Sequence, residues 1–220
     1  SKETNSLGQS KLYFYDLNRN LTKVINRRGQ TINFVYDDVN RLVQKSFPGD
    51  IVNYSYDLAD NLTHVSDSDS SLTMAYNELG WLVGIAGGGM GLPQPAFSIS
   101  YTFDLNGNRL SMTDSFGSIV NYSVDQLNRI TQITSGENFV SFGYDALSRR
   151  VRMTYSNGTE TTYGYDAASR LISQTVTHPF QGVLAAYSYS YNKIGQRVGM
   201  VEFMKNADGT SESGVHTYAY

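Results

Sequence analysis

The chain has 220 residues, 17% of them charged, and a net charge of −3; a field that weak gives no electrostatic footprint for nucleic acid or an anionic membrane surface. Tyr (17) and Gly (20) are abundant and Cys is absent, which describes a β-rich, turn-rich protein without disulfides or thiolate metal sites. No apolar run reaches the length of a membrane span.

In chain order the same short string returns. It reads Tyr13-Phe14-Tyr15-Asp16, Phe34-Val35-Tyr36-Asp37, Tyr54-Ser55-Tyr56-Asp57 and Met74-Ala75-Tyr76-Asn77. It continues as Tyr101-Thr102-Phe103-Asp104, Tyr122-Ser123-Val124-Asp125, Phe142-Gly143-Tyr144-Asp145, Tyr163-Gly164-Tyr165-Asp166 and Tyr189-Ser190-Tyr191-Asn192, and a partial copy begins at Tyr218-Ala219-Tyr220. Successive anchors are 21, 20, 20, 27, 21, 20, 21 and 26 residues apart. A fixed period of this length marks a repeat array, in which each unit stacks on its neighbours and no single compact core forms. The chain starts inside one unit and stops inside another, so we expect 1–220 to be one array cut from a longer protein.

Counting back from each Asp, positions −1, −3 and −5 are aromatic or aliphatic (Tyr56, Tyr54, Val52; Phe103, Tyr101, Ile99), while −2 and −4 are small or polar (Ser55, Asn53; Thr102, Ser100). Period-two alternation predicts a strand with one aromatic face. The Asp favours the start of a type I turn. Three residues on come Asn40, Asp60, Gly80, Gly107, Asn128, Ser148, Ser169 and Gly195, residues that tolerate positive φ. Arg19 breaks this pattern, and we expect its turn to be strained or different. A second strand follows from Leu21, Leu42, Leu62, Leu82, Ile130 or Leu171, and then a second turn at Arg28-Gly29, Pro48-Gly49, Phe116-Gly117, Ser135-Gly136 or Asn157-Gly158. Each unit is therefore predicted to be one β-hairpin, and the array an all-β, continuous antiparallel strip of about ten hairpins. A propeller with two hairpins per blade fits the arithmetic, but odd and even units do not alternate.

Three long spacers, Gly84–Phe97, Val176–Leu184 and Lys205–Gly214, are expected as insertions in the second turn. The first is apolar and is expected to fold over the aromatic face as a plug anchored by Met90, Leu92 and Phe97. Open sheet edges are expected around Leu12–Asp16 and His216–Tyr220. Arg four residues after Asp (Asp37/Arg41, Asp125/Arg129, Asp145/Arg149, Asp166/Arg170) reads as a surface clamp across the turn rather than a charged-ligand site.

The unit in YSYDLADNLTHV (54–65), YTFDLNGNRLSM (101–112) and YGYDAASRLISQ (163–174) resembles the YD repeat of the Rhs family. That family includes bacterial Rhs and wall-associated proteins, Tc toxin B and C components and animal teneurins. The resemblance covers essentially the whole chain and implies a strip that spirals into a hollow shell, with neighbouring repeats as partners. In the toxin members the shell encloses a C-terminal effector; no Asp-Pro dipeptide marks their self-cleavage junction here. It also implies a secreted or cell-surface location.

No catalytic constellation emerges. Asp67-Ser68-Asp69-Ser70 begins like a calcium loop, but the position that requires Gly is Leu72. Gly87-Gly88-Gly89 lacks the Gly-Lys-Ser/Thr of a phosphate loop, and His64, His178 and His216 are scattered. The expectation is a non-enzymatic structural segment with no cofactor, whose repeated aromatic and Asp positions serve the sheet itself. The alternative is an adhesive or glycan-binding module that uses an exposed tyrosine ladder.

Overall fold

The structure, a computed structural model, describes residues 1–89, 95–206 and 208–219. It contains twenty strands and, among the described residues, no helix. Two compact units divide it, Ser1–Thr102 with Met112–Gly117, and Phe103–Ser111 with Ser118–Tyr220.

In the first unit the strands are β1 (Lys2–Thr4), β2 (Ser10–Tyr15), β3 (Leu21–Ile25), β4 (Thr31–Tyr36), β5 (Leu42–Phe47), β6 (Asp50–Tyr56), β7 (Leu62–Ser66), β8 (Ser70–Tyr76), β9 (Leu82–Gly89) and β10 (Phe97–Phe103). Each pairs antiparallel with the next in chain order. Strand β11 (Arg109–Asp114) lies across the division. The second unit continues with β12 (Ile119–Val124), β13 (Ile130–Ser135), β14 (Asn138–Tyr144), β15 (Arg150–Tyr155), β16 (Glu160–Tyr165), β17 (Leu171–His178), β18 (Gly182–Tyr191), β19 (Arg197–Lys205) and β20 (Ser211–Thr217). The same neighbour-to-neighbour pairing runs unbroken from β12 to β20. Neither ladder breaks after four strands, as propeller blades would require.

The predicted alternation is plain in β6 and β10, where residues on the aromatic face are half-buried and those between them exposed. Nothing forms a core. Among the described residues only Val24 (5%) and Thr161 (3%) fall into the buried class. Ladder hydrogen bonds and cross-strand pairs, the latter worth roughly 0.2–1 kcal/mol each, must therefore hold the strands together.

Three sequence expectations are corrected. The first concerns the edge at Leu12–Asp16. Residues 2–4 form a strand that pairs Lys2, Glu3 and Thr4 with Leu12, Lys11 and Ser10. Glu3 then accepts hydrogen bonds from the Tyr13 hydroxyl (3.0 Å) and Arg27 (2.8 Å). A three-residue charged strand carries no aromatic signature, so its sequence gave no sign of it. At the other end β20 is paired along its length with β19, and Tyr220 lies outside the described residues.

The second correction is that the long spacers mostly lengthen the hairpin arms instead of forming loops. Pairing between β17 and β18 reaches His178↔Gly182, and between β19 and β20 Lys205↔Ser211. The added Val, Thr and Ala positions simply continue the pleat.

The third concerns the two described ends of the expected apolar plug, which are strand residues. Gly84–Gly89 belong to β9, which pairs with both β8 and β10, and Phe97 is a strand residue opposite Gly87. Met90 and Leu92 lie outside the described residues. The glycines have a packing reason: a Cβ on Gly87 would stand 2.7 Å from Leu72 Cδ2, 2.9 Å from Phe97 Cε1 and 2.9 Å from the Ser71 carbonyl oxygen. Two large neighbours thus close over a residue without a side chain. Gly87→Ala is expected to destabilise the first unit by roughly 1–3 kcal/mol, the cost of overpacking, measured as a lower urea midpoint at unchanged slope.

Candidate functional site

The feature that recurs with the sequence period is the Asp turn. Asp145 shows its frame. The Asp145 N–H donates to the Arg149 carbonyl (3.0 Å), and the Ser148 N–H donates to the Asp145 carbonyl (3.0 Å). One carboxylate oxygen, Oδ1, accepts from the N–H groups of Leu147 (2.9 Å) and Arg149 (3.0 Å). Asp37, Asp57, Asn77, Asp104, Asp125, Asp166 and Asn192 repeat this arrangement. Asn suffices because only a carbonyl-type oxygen is needed. The third residue has positive φ in every case, from 59° at Asn128 to 86° at Gly195. Arg19 does too, at 69°, with the Asp16 backbone bonds intact; its turn is strained but not different. At each turn in the two ladders the register shifts at the −1 residue, marking a β-bulge beside the turn, as this turn type requires.

The second carboxylate oxygen holds the clamp read from the sequence. Arg41, Arg129, Arg149 and Arg170 each donate Nε to it at 2.7–2.8 Å. These groups do a second task that their spacing did not reveal. Each guanidinium also reaches forward to a carbonyl of the next turn: Arg41 to Asp57 (3.0 Å), Arg149 to Asp166 (3.2 Å), Arg170 to Asn192 (3.3 Å) and Arg129 to Asp145 (3.5 Å). It lies over the ring of that unit's −1 tyrosine, with centroid distances of 4.9, 4.7, 4.8 and 4.8 Å for Tyr56, Tyr144, Tyr165 and Tyr191. Asn20 and Asn108, standing in place of Arg, reach forward instead to Asn40 and Asn128 at 2.7 Å each, whereas Asn61 donates its side chain to its own Asp57 at 3.0 Å.

The −1 tyrosines reach backward. Their hydroxyls donate to the carbonyl that opens the preceding unit's second strand: Tyr36 to Leu21 (3.1 Å), Tyr56 to Leu42 (2.9 Å), Tyr76 to Leu62 (3.0 Å), Tyr144 to Ile130 (2.7 Å), Tyr165 to Arg150 (2.8 Å) and Tyr191 to Leu171 (2.8 Å). Phe103 and Val124 lack the hydroxyl. The −3 rings, Phe34, Tyr54, Tyr101, Tyr122, Phe142, Tyr163 and Tyr189, are all half-buried, and burial pushes the phenols of Tyr163 and Tyr189 above their ordinary pKa. Tyr13 serves the β1 edge, while Tyr15 and Asp16 are exposed.

The other candidates take ordinary structural positions. Asp67 caps its own turn, accepting from the N–H groups of Asp69 (2.9 Å) and Ser70 (2.7 Å). His216 pairs with Glu202 at 2.9 Å. Among the described residues no cluster of three or more His, Asp or Glu stands ready to hold a metal.

A model of the teneurin YD-shell matches residues 15–153, and one of the RHS repeat matches residues 144–183. The chain belongs to the teneurin YD-shell family. Its fold is also found in structures of TcdB2-TccC3 and of a Tc holotoxin pore. In a crystal structure of TcdB2-TccC3-Cdc42 the TM-score is 0.81 at 15% identity, covering 100% of this chain and 13% of the matched one. For TcdB2-TccC3-TEV the values are 0.80, 15%, 96% and 12%. For a Photorhabdus luminescens Tc holotoxin pore carrying mutated TccC3 they are 0.79, 16%, 96% and 12%. This YD-shell chain thus spans about one eighth of the proteins whose fold it shares. No curated protein sequence matches it. Family and fold are those of a structural shell repeat.

One feature of this YD-shell segment escaped the sequence reading. The residue one or two after the Asp is a large apolar side chain held in solvent, as with Leu17 (103% exposed), Leu58 (106%) and Leu105 (96%), and likewise Val39, Leu79, Leu127, Leu147 and Ile194. Apolar turn tips at a fixed period were visible in the string, but turn chemistry drew attention to Asp and Gly instead.

The two clamps give separate expectations. Tyr56→Phe removes one inter-hairpin hydrogen bond and is expected to cost about 0.5–1.5 kcal/mol, read from equilibrium denaturation. The Asp carboxyls are held below the usual range, at Asp125 by the Arg129 guanidinium and at Asp37 and Asp166 first by the N–H of Arg41 and Arg170. A lowered folded-state pKa gives stability that is present above the unfolded value, about 3.9, and is lost as pH falls through the folded one. Thermal midpoints are therefore expected to drop below about pH 4, and Asp125→Asn together with Asp166→Asn to flatten that acid limb.

Proposed function

We propose that this chain is a non-catalytic wall segment of a larger secreted or surface-exposed Rhs-type protein, one array of hairpins in a β-shell that encloses a toxin or other cargo domain. The observation that carries this reading is the use made of the repeated side chains. The Asp, Arg and −1 Tyr groups that a site would need are spent on joining each hairpin to the next. Such a wall offers continuity rather than a pocket. Support for enclosure comes from the likeness to YD-shell proteins and to structures in which TcdB2 and TccC3 occur with a further named protein. No helix of the described residues is long and apolar enough to cross a membrane.

The glycan-binding reading has less support. A ladder of free phenols would suit sugar stacking, but the −1 rings lie under guanidinium groups and their hydroxyls are bonded to backbone.

Limited proteolysis of the full-length gene product, with electron microscopy, tests the proposal. A hollow particle is expected, together with an internal segment that resists protease until the array is disrupted by deleting two hairpins. An extended particle with all segments equally cleaved would overturn it.

A further inference from the structure

The Asp turns of the first unit form one edge, and along it runs a row of apolar tips. Leu17, Val39, Leu58 and Leu79 stand on four successive turns, all exposed, Leu17 and Leu58 completely. The row is held in place laterally. Asn18 and Asn20 tie the first tip to Asn40 of the second (3.1 and 2.7 Å), and Arg41 ties the second tip to Asp60 of the third (2.7 Å). Exposed leucines scattered singly need no explanation, whereas a contiguous row marks an interaction site.

The charges on this edge specify the partner. The turn carboxylates of Asp16, Asp37 and Asp57 are taken up by their own turns, and Asp60 is paired with Arg41. Arg19 at the first tip, Asp38 at the second and Glu78 at the fourth are exposed, and none forms an ion pair with a described residue. Consecutive tips lie two strand spacings apart, roughly 10 Å, so the evenly spaced row can meet a second copy of itself in two ways. Set in the same direction, Arg19 faces Arg19 and Glu78 faces Glu78. Reversed about a two-fold axis between the second and third tips, Arg19 faces Glu78, Leu17 faces Leu79 and Val39 faces Leu58, each contact being made twice. Opposed like charges penalise the first setting and paired opposite charges favour the second. The second unit has no such edge: the Asp166 turn offers Ala167 and Ala168 at its tip, and Lys193 is the single charged residue among its tip positions.

We propose that the Asp-turn edge of the first unit is a dimerisation surface, and that its partner is the same edge of a second copy of this chain set antiparallel. The contact is isologous, so one self-complementary row serves both sides. A single-layer edge of four tips stays at the low end of interface sizes, below about 1,200 Å² in total, and a concentration-dependent dimer follows rather than a permanent one. Asp38 is the uncompensated charge: the two-fold sets it opposite the third tip, where Asp60 already holds Arg41. The inference does not rest on enclosure of cargo, because it uses only groups at the edge of the strip.

Sedimentation velocity over a concentration series of the 220-residue chain tests this. A monomer–dimer equilibrium is expected. Leu58→Asp, felt at two symmetric contacts at once, is expected to weaken it by about tenfold or more, with an unchanged thermal midpoint because the side chain is fully exposed in the monomer. Arg19→Glu and Glu78→Arg are each expected to weaken association, the two together in one chain to restore it, and Asp38→Asn to tighten it. A chain that stays monomeric throughout the series overturns the proposal, as does a dimer indifferent to Leu58→Asp. Single reversals that weaken association without restoring it in combination overturn the antiparallel setting. A monomer that co-sediments with phosphatidylcholine vesicles, and loses them on Leu58→Asp, would assign the edge to lipid instead.

Discussion

A sheet one layer thick has no interior in which to hide its errors. With almost no side chain among the described residues fully buried, apolar burial, which stabilises most domains at roughly 25 cal/mol per Å², contributes less here. What remains is connection between neighbours, and that is concentrated at the Asp turn. The carboxylate organises its own hairpin through Oδ1 and engages the seam through Oδ2. The seam then runs forward through Arg or Asn and backward through tyrosine. Each link is small: an exposed ion pair contributes about 0–1 kcal/mol, a cation–π contact about 0.5–1 and a neutral hydrogen bond about 0.5–1.5. Repetition rather than any single contact makes the strip hold.

The same constraint explains why the units can degenerate without losing the fold. Asn77 and Asn192 keep the acceptor oxygen that the turn needs, and Arg19, Ser148 and Ser169 adopt positive φ without glycine because the surrounding hydrogen bonds over-determine the conformation. Stability in such arrays is nearly a sum of unit and nearest-neighbour terms, so a weak unit costs its own contribution and little more. Val124 is tolerated on this basis.

Much of this was legible in the string of residues. Hairpin identity, the aromatic face, the type of turn and its positive-φ position all follow from alternation and from the chemistry of Asp, Asn and Gly, which act within one unit. What remained hidden acts between units. Nothing in the spacing of Asp145 and Arg149 says that the guanidinium also reaches Asp166, nor that Tyr165 is bonded to Arg150, because those partners depend on how one hairpin is set beside the next. The strand at Lys2–Thr4 was invisible for the opposite reason: a short polar stretch becomes a strand only when a partner offers it a ladder. The spacer around Gly87 misled because glycine usually signals a loop, whereas here it makes room for Leu72 and Phe97.

The seam has a direction. Where Arg and Asn bonds cross between hairpins they run to the turn that follows, and the −1 tyrosine hydroxyls donate from a hairpin to the one before. Any face exposed by parting two hairpins therefore differs from the face it leaves behind: one offers guanidinium and bulge carbonyl, the other turn carbonyl and phenol. Two such faces match each other, and neither matches itself. Parted strips of this kind would meet head to tail, a heterologous contact that propagates into rings or filaments instead of stopping at a two-fold dimer.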